Sequence, residues 1–481
     1  MLDIYKSLFK SLHDSSISWC SWKNNHDKDK YLNGEGDLDI YVPNINKHNF
    51  LEVIRNLGFV RVQSYVADFP YIEHYYGSDK ETGKLVHLHV YFKLITGESH
   101  IKQYLFPIDN WLIDNTVADE NHFYQLSDNA QVSIHLLRHY IKISSFIGLL
   151  YILRDNKKYL DERESIGTVE LSLVKFPSLL PQSIWVKMYE NYYENKFTSQ
   201  IVLSIKISIY LNVYLRGNYF TSIANRYFSL SYRFFNKLLF KRKKYFPSGG
   251  KFIAICGLDG SGKSTAVIGV KNWLARDFDV KVIHMGRPNP TILTLPFWSI
   301  IKLVQLFRHS SVKEKKVLND FLPQNHTSLA LSIRYVLLAY ERLATAKRAM
   351  RLMQKGYIIV ADRYPSLTVG KMDSPRITVA PNSNVLVTKL SRLEAHFYRA
   401  IPTADLVLQL KVPLEVSLDR NRMRDKVGKE TDDEIRARYQ INNNLQYSCY
   451  EFYKVDADQA ADRVLLTVKN HIWNCIIKGS I

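Results

Sequence analysis

Nine consecutive residues, Gly257-Leu-Asp-Gly-Ser-Gly262-Lys263-Ser264-Thr265, constrain this chain more than any other feature. A short apolar run, Phe252–Cys256, precedes them and a helical pattern, Val267–Leu274, follows, so a glycine-rich loop joins a buried strand to a helix N-terminus. Glycines let backbone N–H groups curl round an anion, and the helix start adds its positive end. A lysine and a hydroxyl at the spacing G-x-x-x-x-G-K-[ST] add a charge for a phosphate chain and a ligand for Mg²⁺. Both flanks are correct, which separates this segment from a chance Gly/Ser turn.

The loop opens the last of three regions. Residues 1–125 alternate helix and strand signals: a helix at Leu2–Leu12, strands near Ile17–Trp22, Leu38–Val42, Phe59–Gln63 and Leu85–Phe92, and a helix near Asn49–Leu57. From 126 to 246 the pattern is helical, in Val132–Ile143 and Ile201–Leu215. Pro247-Ser-Gly-Gly250 breaks it and marks a domain boundary. Over 251–481, Phe252–Cys256, Val280–His284, Tyr357–Ala361 and Leu406–Leu410 read as strands of a parallel sheet flanked by helices.

Composition narrows the classes. The formal charge is +19, but no Asp or Glu occurs from Asn195 to Leu258, where eleven Lys and Arg stand, leaving +8 for the other 417 residues. The same stretch holds fourteen aromatics. Interleaved cations and rings fit a peripheral membrane contact over 195–251, a single-stranded nucleic-acid surface less well, and most simply a helix bundle with a basic outer face. Thr291–Phe307 is a second amphipathic stretch. Four scattered cysteines exclude a disulfide framework, and with neither a signal-peptide pattern nor a long apolar span they predict a cytoplasmic, at most membrane-associated, protein.

Around the glycine-rich loop the sequence resembles the thymidylate kinases. Ala339-Tyr-Glu-Arg342, Asp362-Arg363-Tyr364, Ala404–Pro413 followed by Arg420, Arg422 and Arg424, and Val455-Asp456-Ala457 follow that family's landmarks in order, over about 230 residues. The resemblance implies an α/β P-loop fold that binds ATP and Mg²⁺ and passes the γ-phosphoryl to a phosphorylated small molecule. It implies ATP-phosphate contacts at Gly257, Asp259, Gly260, Ser261, Gly262, Lys263, Ser264 and Thr265, and Mg²⁺ contacts at Ser264 and Asp362. The acceptor would meet Asp259, Arg342, Arg363 and Tyr364. Gly260 replaces the arginine that some members carry in this loop, so a lid residue, Arg420, Arg422 or Arg424, must supply the charge on the moving phosphoryl. Two departures bear on the acceptor: His284-Met-Gly-Arg287-Pro288 lacks the expected carboxylate, and Met372-Asp373-Ser374-Pro375-Arg376 replaces the expected acceptor loop.

In the first region, Gly34-Glu-Gly36-Asp37-Leu-Asp39 places two carboxylates on one face of a strand. With Trp22-Lys23, Leu57-Gly58-Phe59 and His87-Leu-His89 it resembles an uncharacterised bacterial branch of the nucleotidyltransferase superfamily, an α+β fold. Where active members carry a third carboxylate, this chain has histidines, so Asp37, Asp39, His87 and His89 are the candidate metal ligands of a domain that binds a nucleotide or phosphosugar. Three functions stay open: a kinase acting on a nucleoside monophosphate such as dTMP; an enzyme acting on a sugar or lipid-linked glycan in surface polysaccharide synthesis; and a nucleotide-gated scaffold. A homodimer is one expectation for its assembly.

Overall fold

A computed structural model describes residues 1–481 except 67, 99–100, 146, 151–155, 168, 300–326, 382, 424–430, 443–444 and 480–481. The chain divides into two compact units, Met1–Lys244 and Tyr245–Ile481.

The first unit is built on a mixed sheet. Its strands include β1 (Cys20–Ser21), β2 (Asp37–Tyr41), β3 (Val60–Ser64), β4 (Ile72–Ser78) and β5 (Leu85–Tyr91). A separate two-stranded ribbon pairs β6 (Leu94–Thr96) with β7 (Tyr104–Phe106), and β8 (Thr116–Ala118) with β9 (Tyr124–Leu126) complete the set. Seven strands of the main sheet run β3-β4-β5-β2-β1-β9-β8. β2 lies parallel to β5, and β4 antiparallel to it. Leu38 and Ile40 alternate with Asp37, Asp39 and Tyr41, so the sheet has two different faces.

One face packs on α1 (Asp3–Asp14) and α2 (Lys47–Asn56) through Tyr5, Phe9, Phe50 and Ile54. The other side joins Trp22, Tyr41 and Tyr91 to α3 (Asp128–Ile143), α4 (Gln182–Tyr193) and α5 (Phe197–Tyr210) in one core with Leu136, Trp185 and Ile207. That core draws residues from both sides of position 125. The expected strand Ile17–Trp22 is only Cys20–Ser21. The unit ends through α6 (Tyr219–Phe235) and a π-helical turn, Asn236–Phe240.

The second unit is a five-stranded parallel sheet with β10 (Phe252–Gly257) at its centre. Its other strands are β11 (Val280–His284), β12 (Ile358–Asp362), β13 (Ala404–Lys411) and β14 (Cys449–Asp456), in the order β11-β12-β10-β13-β14. Every pairing is parallel. β10 is buried at all six positions, as a strand covered on both faces requires. α7 (Lys263–Ala275), α8 (Leu329–Gln354), α9 (Val385–Arg399), α10 (Leu414–Arg422), α11 (Asp432–Ile441) and α12 (Ala461–Lys478) complete the unit. The strand order reverses around β10, which puts a crevice at the carboxyl ends of β10 and β12. Among the described residues no helix is long and apolar enough to cross a membrane.

Candidate active site

The glycine-rich loop leaves the carboxyl end of β10 and enters α7 at Gly262. Gly257 has φ 154°, and a Cβ there would stand 2.5 Å from Ser261 Oγ and 2.7 Å from the Leu410 carbonyl oxygen. Gly260, at φ 86°, would press a Cβ to 2.8 Å from the Ser417 oxygen. Side chains at either position would prise the loop from β13 or α10. Ser264 and Thr265 are exposed on the first turn of α7, while Ser261 is buried with its Oγ unpartnered.

Lys263 is buried and folds back over the loop, donating to the Leu258 carbonyl at 2.6 Å. Burial pushes its ammonium pKa down to about 8, against the opposing pull of Asp259 at 3.7 Å. Asp259 gathers three cations: Lys263, Arg363 at 3.2 Å and Arg438. Arg363 follows β12 in a left-handed conformation, φ 70°, unusual for a side-chain-bearing residue and typical of functional turns. Burial works against its charge, but Asp373 and Asp259 more than offset that and raise its pKa.

Arg342, on α8, is only 3% exposed. Its guanidinium donates to the carbonyls of Met285 at 2.9 Å and Gly286 at 2.8 Å, to Asp373 at 2.8 Å and to the Tyr398 hydroxyl. It clamps the loop after β11 and is saturated by protein groups. Asp373 also lies 3.6 Å from Arg363, so one buried carboxylate orients both arginines. Asp362, last residue of β12, has a buried Oδ1 without a hydrogen-bond partner.

The structure gives three more of the sequence-predicted residues definite surroundings. Tyr364 belongs to the core against Phe252, and its hydroxyl donates to the Pro402 carbonyl, so it does not face the crevice. Arg420 bridges the Gly260 carbonyl at 3.4 Å and the Ala457 carbonyl at 3.1 Å. It thereby walls a cleft of about 370 Å³ with Gly262, Thr265, Gln459 and Leu465. Arg422 is exposed and paired with Asp432 and Asp419. Arg424 lies outside the described residues. Sequence reasoning missed Arg438 and Asp373; the capping box Thr431/Glu434 that starts α11 was the one local signal near Arg438.

In the first unit, register places Asp37 opposite His87 and Asp39 opposite His89. Each carboxylate takes its neighbour's imidazole, at 2.5 Å and 2.8 Å. β4 brings His74 opposite His89, with a ring nitrogen 3.0 Å from His87 Nε2. Asp39 is also held by Lys23 at 3.0 Å and by the Asn24 amide at 3.0 Å. Burial would raise the Asp39 pKa, but Lys23 and His89 override it and hold it well below the carboxylate range. Burial lowers His89 to about 3, against the pull of Asp39, and lowers His74 further. Lys23 and Lys102 both donate to the Tyr91 hydroxyl, at 3.0 Å and 2.8 Å, and burial lowers both their pKa values. The expected four-ligand metal set is thus not assembled: the imidazoles face their own carboxylates. Among the described residues no three His, Cys, Asp or Glu side chains are grouped to hold a metal.

No protein-family description matches the chain. Two relatives from Escherichia coli K12 are called uncharacterised ATP-binding proteins. YghR is 23% identical over 37% of this chain and 73% of its own length; YghS is 24% identical over 45% and 89%. A thymidylate kinase from Thermosipho melanesiensis is 24% identical over 46% of this chain and 96% of its own. A solved thymidylate kinase from Candida albicans aligns with 48% of this chain and 94% of its own at 18% identity and a TM-score of 0.27. None of these relatives is called a nucleotidyltransferase. The sequence similarities and the parallel sheet around a glycine-rich loop point to a nucleotide-kinase-like domain with a P-loop fold.

Proposed function

We propose that the second unit transfers the γ-phosphoryl of ATP to a phosphate-bearing acceptor, with a nucleoside monophosphate as the first candidate. The observation that carries this is the convergence of Lys263, Arg363 and Arg438 on Asp259 at the loop. Phosphoryl transfer needs positioned positive charge more than covalent chemistry, and this cluster supplies it in a partly buried crevice. On this reading Lys263 leaves the Leu258 carbonyl for the β- and γ-phosphates, and the base enters the cleft beside Arg420. The orphaned Asp362 carboxylate and the Ser264 hydroxyl fit a Mg²⁺ ion, which when bound would neutralise charge on the terminal phosphates. Arg363, less saturated than Arg342, grips the acceptor phosphate, and Arg342 positions the loop behind it.

The departures at 284–288 and 372–376 support a second reading, a sugar or lipid-linked acceptor. For the first unit we infer a binding role toward a nucleotide or phosphosugar, supported by exposed Asp37 and by Lys23 and Lys102 near Asp39. A metal there would have to displace His87 and His89 from the carboxylates. The test is ADP release from ATP across nucleoside monophosphates, led by dTMP, sugars and lipid-linked sugars. Lys263→Ala should lower acceptor-stimulated turnover about 10³-fold. A chain that binds ATP while no acceptor stimulates turnover would overturn the kinase reading in favour of the scaffold.

A further inference from the structure

A helix on a protein surface normally turns its apolar stripe inward. α6 does the reverse. Phe220, Tyr227 and Phe234 recur every seven residues on one face, Phe228 adjoins them and Leu238 continues the row into the π-helical turn; all are 60–80% exposed. Arg226 and Arg233 lie on the opposite side of the helix, where Arg226 pairs with the buried Glu98 of the same unit. Beyond them Asn236 is buried on the Arg242 backbone. α5 sends Ile207 into the core but also leaves an apolar row outside, with Val202, Ile205 and Ile209 56–70% exposed. Polar groups inward and apolar groups outward suit an element whose outer surroundings are not water.

The charge says what those surroundings are. No acidic residue occurs from Asn195 to Leu258, and exposed Lys206, Lys237 and Lys241 lie among the apolar rows. A cleft of about 470 Å³ between α4 and α5 is lined by Lys187 and Lys206 beside Val202 and Tyr210. A second copy of this surface would bring like charges together. A single-stranded nucleic acid would use the rings but has no use for exposed Val, Ile and Leu side chains.

We infer that α5, α6 and the 236–240 turn form a docking surface that lies in the plane of an anionic lipid bilayer. The aromatic and aliphatic rows enter the headgroup–acyl boundary, and the lysines meet anionic headgroups. This inference does not depend on the kinase reading.

The test is flotation of the full chain with phosphatidylcholine vesicles, with and without about one-third phosphatidylglycerol. The chain should float with the anionic vesicles, and raised salt should weaken this without abolishing it. Phe228→Ser with Phe234→Ser should cut binding about tenfold or more, with an unchanged thermal melt because both rings are exposed. Lys237→Glu with Lys241→Glu should remove the preference for anionic vesicles. Three results would overturn the inference: no flotation at low salt; a dimer in light scattering that the double Phe variant dissociates; or displacement from vesicles by a single-stranded oligonucleotide.

Discussion

The two units each hold buried carboxylates among basic groups, and they settle the charge in opposite ways. In the first unit the two β2 carboxylates have resident partners: Asp37 has His87, and Asp39 has Lys23, His89 and Asn24. In the second, formally four cations, Lys263, Arg342, Arg363 and Arg438, surround three carboxylates, Asp259, Asp362 and Asp373. A self-satisfied carboxylate cluster stabilises a fold and gains little from a metal ion. A cluster with surplus positive charge beside a glycine-rich loop gains from phosphates, because its cations outnumber the carboxylates that hold them.

The contrast breaks most sharply at Arg438. If its contact with Asp259 stores an arginine for the transferred phosphoryl, Arg438→Gln should lower turnover about 10²-fold or more while ATP affinity changes little. Equal losses in affinity and turnover would make Arg438 a binding residue instead. Asp373→Asn is the next largest. It leaves Arg342 and Arg363 buried with less compensation, so we expect a loss of roughly 3 kcal/mol in stability, read by denaturant unfolding, and a raised acceptor KM.

How much of this was readable beforehand follows from how local each feature is. The loop at Gly257–Thr265 fixes its own conformation through consecutive residues, so its strand, turn and helix are all in one stretch of sequence. The facing of Asp37 and Asp39 follows from the two-residue period of a strand. Arg438 stands 179 residues beyond Asp259, and only the packing of α11 brings them together. The strand Ile72–Ser78 went unread, and with it His74, which completes the imidazole row. The helical period of 195–240 was visible, but a period gives a stripe and not the direction it faces. A basic outer face was the simplest expectation; the structure turns the rings outward.

The first unit offers a pH test that the second should fail. His89 has a folded pKa of about 3 against an ordinary value of 6.5, so the unfolded chain binds the proton first as pH falls. Stability contributed by neutral His89 is therefore present above about pH 6.5 and lost progressively toward pH 3. The loss should reach about 2 kcal/mol near pH 5, as faster hydrogen exchange across Leu85–Tyr91, and His89→Gln should remove much of it. The second unit has its limb on the other side. Lys263 loses its proton above about pH 8 in the free protein, so kcat/KM for ATP should fall there while β5 exchange stays flat.

The smallest expected effect is the most useful control. Arg422 carries the same charge as Arg438, but it is 56% exposed and engaged with Asp432 and Asp419 on the surface. Exposed pairs of that kind are screened by solvent and contribute little, so Arg422→Ala should change turnover less than about twofold. Its sequence position beside Arg420 made it a candidate as good as any. A large loss in Arg422→Ala would mean that its side chain leaves Asp432 when nucleotide binds, and that the surplus of charge in the second unit is assembled by closure. A negligible loss, set beside a large one in Arg438→Gln, would assign the catalytic charge to α11 and leave Arg422 as surface.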